Sequence, residues 1–177
     1  MAMELRPKSG GFLRPFGCGW FIREFLLGNG PEGAPRINPE RGAPQADINY
    51  EYKEALARAT ARERAERIIS KQVVRGVDVT EEFAEEIYQK QLKKVSRKFT
   101  HMRYHSFLMY FGVLKRLGWV EPTSEVERST YQEKYSTGPD RIYYRLTTVG
   151  CSADDHSWAN PLFTLYPEIG PSHIKRR

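Results

Sequence analysis

Two stretches decide how this chain reads: FLMYFGVLKRLGWV (residues 107–120) and, after a polar interval, RIYYRLTTVG (141–150). In the first, Phe107, Tyr110, Phe111, Leu114 and Leu117 recur at i, i+3/i+4 and i+7, the rhythm of one buried helical face. His101, His105, Met109, Gly112 and Arg116 fall roughly opposite, with Ser106 and Lys115 at the flanks. The spacing predicts a helix from about Thr100 to Leu117, stopped by Gly118. Trp119-Val120 then starts a strand that Pro122 ends. In the second stretch, alternation puts Ile142, Tyr144 and Leu146 on one side of a strand and Arg141, Tyr143 and Arg145 on the other. The order is helix, short strand, polar loop over 123–140, returning strand.

Upstream, residues 1–15 read as a flexible basic arm. Residues 17–27 carry Trp20, Phe21, Phe25 and Leu26 at helical spacing, and Gly28-Asn29-Gly30 is the stop. Residues 28–45 hold four prolines and four glycines, which no helix or central strand tolerates, so a long loop is expected. Residues 46–75 are helical in composition, with Asp47 as N-cap and a thin stripe of Tyr52, Ala55, Leu56, Ala59, Ile68 and Ile69. That stripe fits either a solvated helix packed on one face or a dimerising helix. Gly76 breaks the pattern and Thr80 caps a second helix, whose buried side is predicted to be Phe83, Ile87, Leu92 and Val95. After Gly150, Trp158, Pro161, Leu162, Phe163, Leu165 and Tyr166 are expected to pack over the core. The division expected is one domain at 16–166, with 28–45 as an inserted loop, followed by a basic tail at 167–177 ending in Lys175-Arg176-Arg177.

A length of 177 residues suits one domain with extensions, and 40% apolar content is enough for a core. Two cysteines, Cys18 and Cys151, make neither a disulfide framework nor a CxxC zinc pair, so a reducing, cytoplasmic setting is expected. No apolar run approaches the ~20 residues of a membrane span, and no membrane partner is expected.

Charge is unevenly placed. From Tyr88 to Val120 there is no Asp or Glu, but there are Lys90, Lys93, Lys94, Arg97, Lys98, Arg103, Lys115 and Arg116. The whole chain has a net charge of only +6, so this span carries all of the positive excess. Such a surface favours a polyanionic partner, and Lys/Arg contacts to phosphate supply most non-specific nucleic-acid affinity.

LKRLGWVEPT, followed by a polar loop and YYRLTTVG, resembles the helix-and-wing portion of winged helix-turn-helix regulators such as the MarR and PadR families, over Thr100 to Gly150. The resemblance implies an α+β, mainly α fold: a winged helix with a long extra helix and a Gly/Pro-rich loop. It implies a transcriptional regulator that reads double-stranded DNA through the major groove with helix 100–117. His101, Arg103, Tyr104, His105 and Ser106 would then lie near the start of the recognition helix, where base edges are read. Lys94, Arg97 and Lys98 would meet phosphates before it, and Arg116 lies at its far end. The wing would supply Arg128, Lys134 and Arg141, among Glu125, Glu127, Glu133 and Asp140. A homodimer through residues 46–75 is the expected assembly, since two-fold sites match two-fold proteins. The competing expectation is a winged-helix module that binds protein within a larger assembly.

No enzyme is expected. His101 and His105 sit at i, i+4, but HMRYH lacks the glutamate of HExxH and no third ligand is evident. Cys151, Asp154, Asp155 and His156 read as a polar loop, and GNGPEG lacks the Lys-Ser/Thr of a phosphate loop. No paired carboxylates or nucleophile setting stand out, and no cofactor is expected.

Overall fold

A computed structural model describes residues 15–96, 104–128 and 140–170. In chain order the elements are α1 (Cys18–Leu26), β1 (Ala43–Pro44), α2 (Gln45–Val74), α3 (Glu81–Lys94), α4 (Tyr104–Arg116), β2 (Val120–Glu127) and β3 (Arg141–Leu146). Three short helices follow, α5 (Thr148–Ser152), α6 (Asp155–Ala159) and α7 (Pro161–Leu165), and then a 3-10 turn at Pro167–Ile169. The described chain is mainly helical, with a small three-stranded antiparallel sheet in the order β1-β3-β2.

Three helices and the sheet share one core. α1 contributes Phe21, Ile22, Phe25 and Leu26, the start of α2 contributes Ile48, Tyr52, Ala55 and Leu56, and α4 contributes Phe107, Phe111 and Leu114. Trp119, Val120 and Tyr144 close it from the sheet side, and Trp158 from α6. Each buried large side chain contributes roughly 1.5–3 kcal/mol of transfer free energy. Some of the rings meet in tilted or edge geometry, with Phe21 and Tyr52 centroids 5.3 Å apart and Phe111 and Tyr144 at 5.2 Å, and Phe21 stacks on Phe25 at 5.3 Å.

The helix end and the strand end quoted above are joined to each other. Gly118 turns with φ +67°, which lets the Trp119 N–H close back on the Leu114 carbonyl at 3.0 Å. The Thr147 N–H donates to the Trp119 carbonyl at 3.0 Å, and the Thr147 hydroxyl donates to the Gly118 carbonyl. The same hydroxyl oxygen accepts from the Gly150 N–H at 3.0 Å and so caps α5. Gly150 is pressed so closely onto residue 119 that a Cβ there would lie 2.3 Å from the Trp119 carbonyl oxygen. Trp158 Nε1 donates to the Gly150 carbonyl at 3.0 Å, and its ring lies 4.7 Å from that of Trp119. Thr148-Val149-Gly150 is therefore the first turn of a helix, not the end of the strand.

Other expectations shift for physical reasons. Residues 28–45 are not wholly loop, since Ala43-Pro44 pair with Tyr144 and Tyr143 as an edge strand. Gly42, at φ +73°, allows that approach, because a Cβ there would meet the Tyr144 carbonyl at 2.0 Å. Asp47 is not the N-cap of α2; the helix starts two residues earlier behind Pro44, and Asp47 pairs with Arg141 instead. Pro122 does not end β2, which runs on to Glu127 through an irregular register between Pro122 and Val126. β2 is an edge strand, where the missing proline N–H costs no ladder bond. In β3 the alternation fails at two places. Tyr143 is buried beneath Arg41, and Ile142 is exposed because the hairpin there has left the core.

The predicted buried side of α3 is thinner than expected: Ile87 alone is fully buried, and Phe83 is exposed. Downstream, Trp158 and Pro161 are buried, but Leu162, Phe163 and Tyr166 are exposed. Residues 46–75 match α2 closely, yet Tyr52, Ala55 and Leu56 of its stripe lie in the molecule's own core.

Candidate nucleic-acid interface

The apolar rhythm of α4 sends Phe107, Phe111 and Leu114 inward and fixes which side chains stay outside. Phe107 packs on Phe111 with centroids 5.7 Å apart, and Tyr104 stacks along Phe107 at 6.4 Å. The outward set is Tyr104, His105, Ser106 and Met109. Gly112 continues that stripe, with open space where a Cβ would stand. Tyr104 is partly covered, and this desolvation, with the charge of Asp47 adding to it, raises its hydroxyl pKa. Tyr110, expected in the core, packs against it from α4, and burial pushes its hydroxyl pKa well up.

Of the residues predicted to meet DNA, Tyr104, His105 and Ser106 lie exposed in one turn of α4. Lys94 is exposed at the end of α3, and Arg128 is exposed just past β2. Arg116 is exposed but donates to the Tyr166 hydroxyl at 2.8 Å, which anchors the C-terminal segment. Lys115 lies 5.4 Å over the Tyr144 ring. Arg97, Lys98, His101, Arg103 and Lys134 lie outside the described residues.

Arg141 stands in a different environment from the one a wing arginine needs. It pairs with Asp47 and reaches Glu127 at 3.8 Å. It is one of three arginines on the outer side of the sheet, each held by carboxylates. Arg41 bonds Glu125 at 3.0 Å and Glu127 at 2.9 Å, and its guanidinium lies 4.8 Å over the Tyr143 ring. Arg145 bonds Glu121 at 2.9 Å and Glu40 at 3.0 Å. The hydrogen bond to Glu125 raises the Arg41 pKa, with the Tyr143 and Glu125 charges adding. The hydrogen bond from Tyr143 holds the Glu127 carboxyl below its usual range, with Arg41 and Arg141 adding. Burial raises the Tyr143 hydroxyl, and Glu127 raises it further.

Half of this lattice has a sequence signal. Glu121, Glu125 and Glu127 share the parity of Arg141, Tyr143 and Arg145, so opposite charges fall on one face of an antiparallel pair. The other half, Glu40 and Arg41, comes from the Gly/Pro-rich loop, where no periodicity announces it.

A cleft of about 440 Å³ lies beside this lattice, walled by Phe25, Arg36, Ile37, Arg41, Tyr50 and Glu51 among others. Burial raises the Glu51 carboxyl, and Arg58, 3.6 Å away, partly offsets this. In the Cys151–His156 region, Asp154 caps α6 by accepting from the Ser157 N–H at 2.7 Å, and Asp155 pairs with Arg23 at 2.6 Å. Among the described residues no group of three or more His, Cys, Asp or Glu is placed to hold a metal. No helix among them is long and apolar enough to cross a membrane.

Comparison with known proteins finds no family model, no curated protein and no solved structure that matches the chain.

Proposed function

We propose that this chain is a double-stranded DNA-binding protein of winged-helix type, and that it acts as a transcriptional regulator. The observation that carries the reading is the exposed turn Tyr104-His105-Ser106. It is backed by Phe107 and Phe111, and it lies within the acid-free basic span from Tyr88 to Val120. The helix–hairpin succession α4-β2-β3, backed by β1 in the order β1-β3-β2, supports the winged-helix part. In the mechanism, the N-terminal half of α4 enters the major groove. His105 and Ser106 offer donors and acceptors to base edges, while Lys94, Arg97 and Lys98 hold phosphates. Arg128 contributes at the wing, and Arg141 is kept from phosphate by Asp47.

A second reading, a protein-binding module, is favoured by one observation: the outer sheet face is filled with paired carboxylates and is not basic. Duplex binding measured as a function of salt separates the two. On the DNA reading, affinity falls steeply with salt, and Lys94→Ala lowers the logarithmic salt slope by about one contact's worth while weakening all sequences alike. His105→Ala with Ser106→Ala relaxes sequence preference, and Arg141→Ala changes the slope little. Absence of duplex binding at low salt would overturn the DNA reading and leave the protein-binding module.

A further inference from the structure

α4 turns one side to the core and the other outward. At about 100° per residue, His105, Met109, Gly112 and Arg116 fall within about 60° of one another, opposite Phe107, Phe111 and Leu114. Arg116, at the far end of this outward line, is held by the Tyr166 hydroxyl. Between His105 and Arg116 the line therefore consists of Met109 and Gly112, and neither carries charge.

Met109 is 58% exposed. One exposed apolar side chain is ordinary, but its neighbour on the line is not. Gly112 stands inside a helix, where glycine is less stable than alanine. Its φ is not positive, so no turn requires it. No close approach among the described residues requires it either, since a Cβ there meets nothing within 4 Å. A helical side chain leans back over the turn before it, so a side chain at 112 would cover the backbone beside Leu108 and Met109. Glycine leaves a notch there, with Met109 at its border.

From His105 to Gly112 the helix advances about 10 Å at about 1.5 Å per residue, the height of about three base pairs at about 3.4 Å each. A helix that enters the major groove with its core side facing away from DNA brings Met109 and Gly112 towards bases as well as His105. A thioether offers nothing to a phosphate. The apolar group that base pairs present in the major groove is the C5-methyl of thymine.

We propose that Met109 and the notch at Gly112 read thymine: the methyl group lies against the Met109 side chain and enters the notch. The inference rests on the reading of α4 as the recognition helix, and it names what the second turn of that helix recognises. Met109 sets the specificity. Gly112 is a positioning residue that lets the helix lie close to the base edges.

Deoxyuridine substitution, with the full chain, tests this. Duplexes selected from random sequence by the unaltered chain contain a thymine whose replacement by deoxyuridine weakens binding about fourfold, the effect of one buried methyl group. In Met109→Ala that replacement makes no difference, and in Met109→Leu the difference persists. Gly112→Ala, although more stable to heat, binds the selected duplex at least about fivefold more weakly, because its Cβ fills the notch. The salt slope is the same in all three variants as in the unaltered chain, since no phosphate contact is lost. A chain that binds no duplex at low salt overturns this inference together with the proposed function. Sequence-selective binding that is indifferent to every thymine methyl overturns this inference alone. So does a deoxyuridine effect that persists undiminished in Met109→Ala, or a Gly112→Ala chain that binds as tightly as the unaltered one.

Discussion

Substituting alanine for glycine at two helical positions should give opposite signs. Gly150→Ala puts a Cβ 2.3 Å from the Trp119 carbonyl oxygen and about 3.0 Å from its carbonyl carbon and Cα. Real Cβ atoms do not approach a fixed carbonyl so closely, so the α5 turn or the residue 118–120 turn must move by several tenths of an ångström. Neither moves cheaply. The Trp119 carbonyl is held by the Thr147 N–H, and the Gly150 carbonyl by Trp158 Nε1, each at 3.0 Å. Overpacking of this kind costs roughly 1–3 kcal/mol, and the helix preference of alanine returns about 1 kcal/mol. With backbone as the obstacle the upper part of the range applies, and the net loss is about 2 kcal/mol, or about 4–8 °C in Tm for a chain of this size. Gly112→Ala meets nothing within 4 Å. It gains about 0.5–1 kcal/mol and raises Tm by about 1–4 °C. Thermal melts followed by far-UV circular dichroism read both, and tryptophan fluorescence reports the Trp119–Trp158 pair directly. If Gly150→Ala melts at or above the unaltered chain, the close joint between the end of α4 and the end of β3 is wrong.

Two further outcomes follow from the core and the charge lattice. Phe111→Ala removes a fully buried ring that meets both Phe107 and Tyr144, and costs about 3–5 kcal/mol by chemical denaturation; a loss under about 1 kcal/mol would mean that α4 does not seat on the sheet. On acidification, Glu127, whose folded pKa lies below its ordinary 4.5, contributes stability that is present above that value and is lost as pH falls through the lower folded pKa. Glu51 acts oppositely, since burial raises its folded pKa and protonation favours the folded state. Glu127→Gln therefore flattens the loss of stability below about pH 4.5; an unchanged profile in Glu127→Gln refutes the role given to the Tyr143–Glu127–Arg41 contacts.

Elements with a sustained period were legible in the sequence, and partners distant in sequence were not. Phe107, Phe111 and Leu114 announce the buried side of α4 because one helix face suffices to bury them. Thr80 announces α3 because a cap is a local device, here accepting from the Phe83 N–H at 3.3 Å. The role of Asp47 is not legible locally, because its partner, Arg141, lies 94 positions away in sequence. Tyr143 and Ile142 exchanged burial because alternation describes a sheet with one wet face, whereas Arg41 covers Tyr143 from a loop. Of the candidate interface, the exposure of His105 and of Ser106 at the flank followed from the α4 period, whereas Tyr104 lies on the spacing of Phe107 and Phe111 and came only with the winged-helix resemblance. The anchoring of Arg116 and Arg141 did not follow, because the Tyr166 hydroxyl and the Asp47 carboxylate that hold them come from other elements.

The carboxylate lattice bears on how DNA would approach. A phosphate brought to Arg41 or Arg145 finds a glutamate oxygen within about 3.0 Å of the guanidinium, so it gains attraction to one group and repulsion from its neighbour. Such a face is close to neutral for a polyanion. The start of α4 presents Tyr104, His105 and Ser106 within a stretch, Tyr88 to Val120, that holds no acidic residue, and Asp47, whose charge reaches Tyr104, is paired with Arg141. On the proposed function, the acidic residues of the sheet therefore orient encounter as much as the basic residues of α3 and α4 do. Neutralising the lattice carboxylates by Glu121→Gln and Glu125→Gln should then raise non-specific duplex affinity while lowering sequence discrimination, because the sheet face becomes a second landing surface. A variant that gained affinity with unchanged discrimination would place the sheet face beside α4 in the productive complex, and the orienting role would fail.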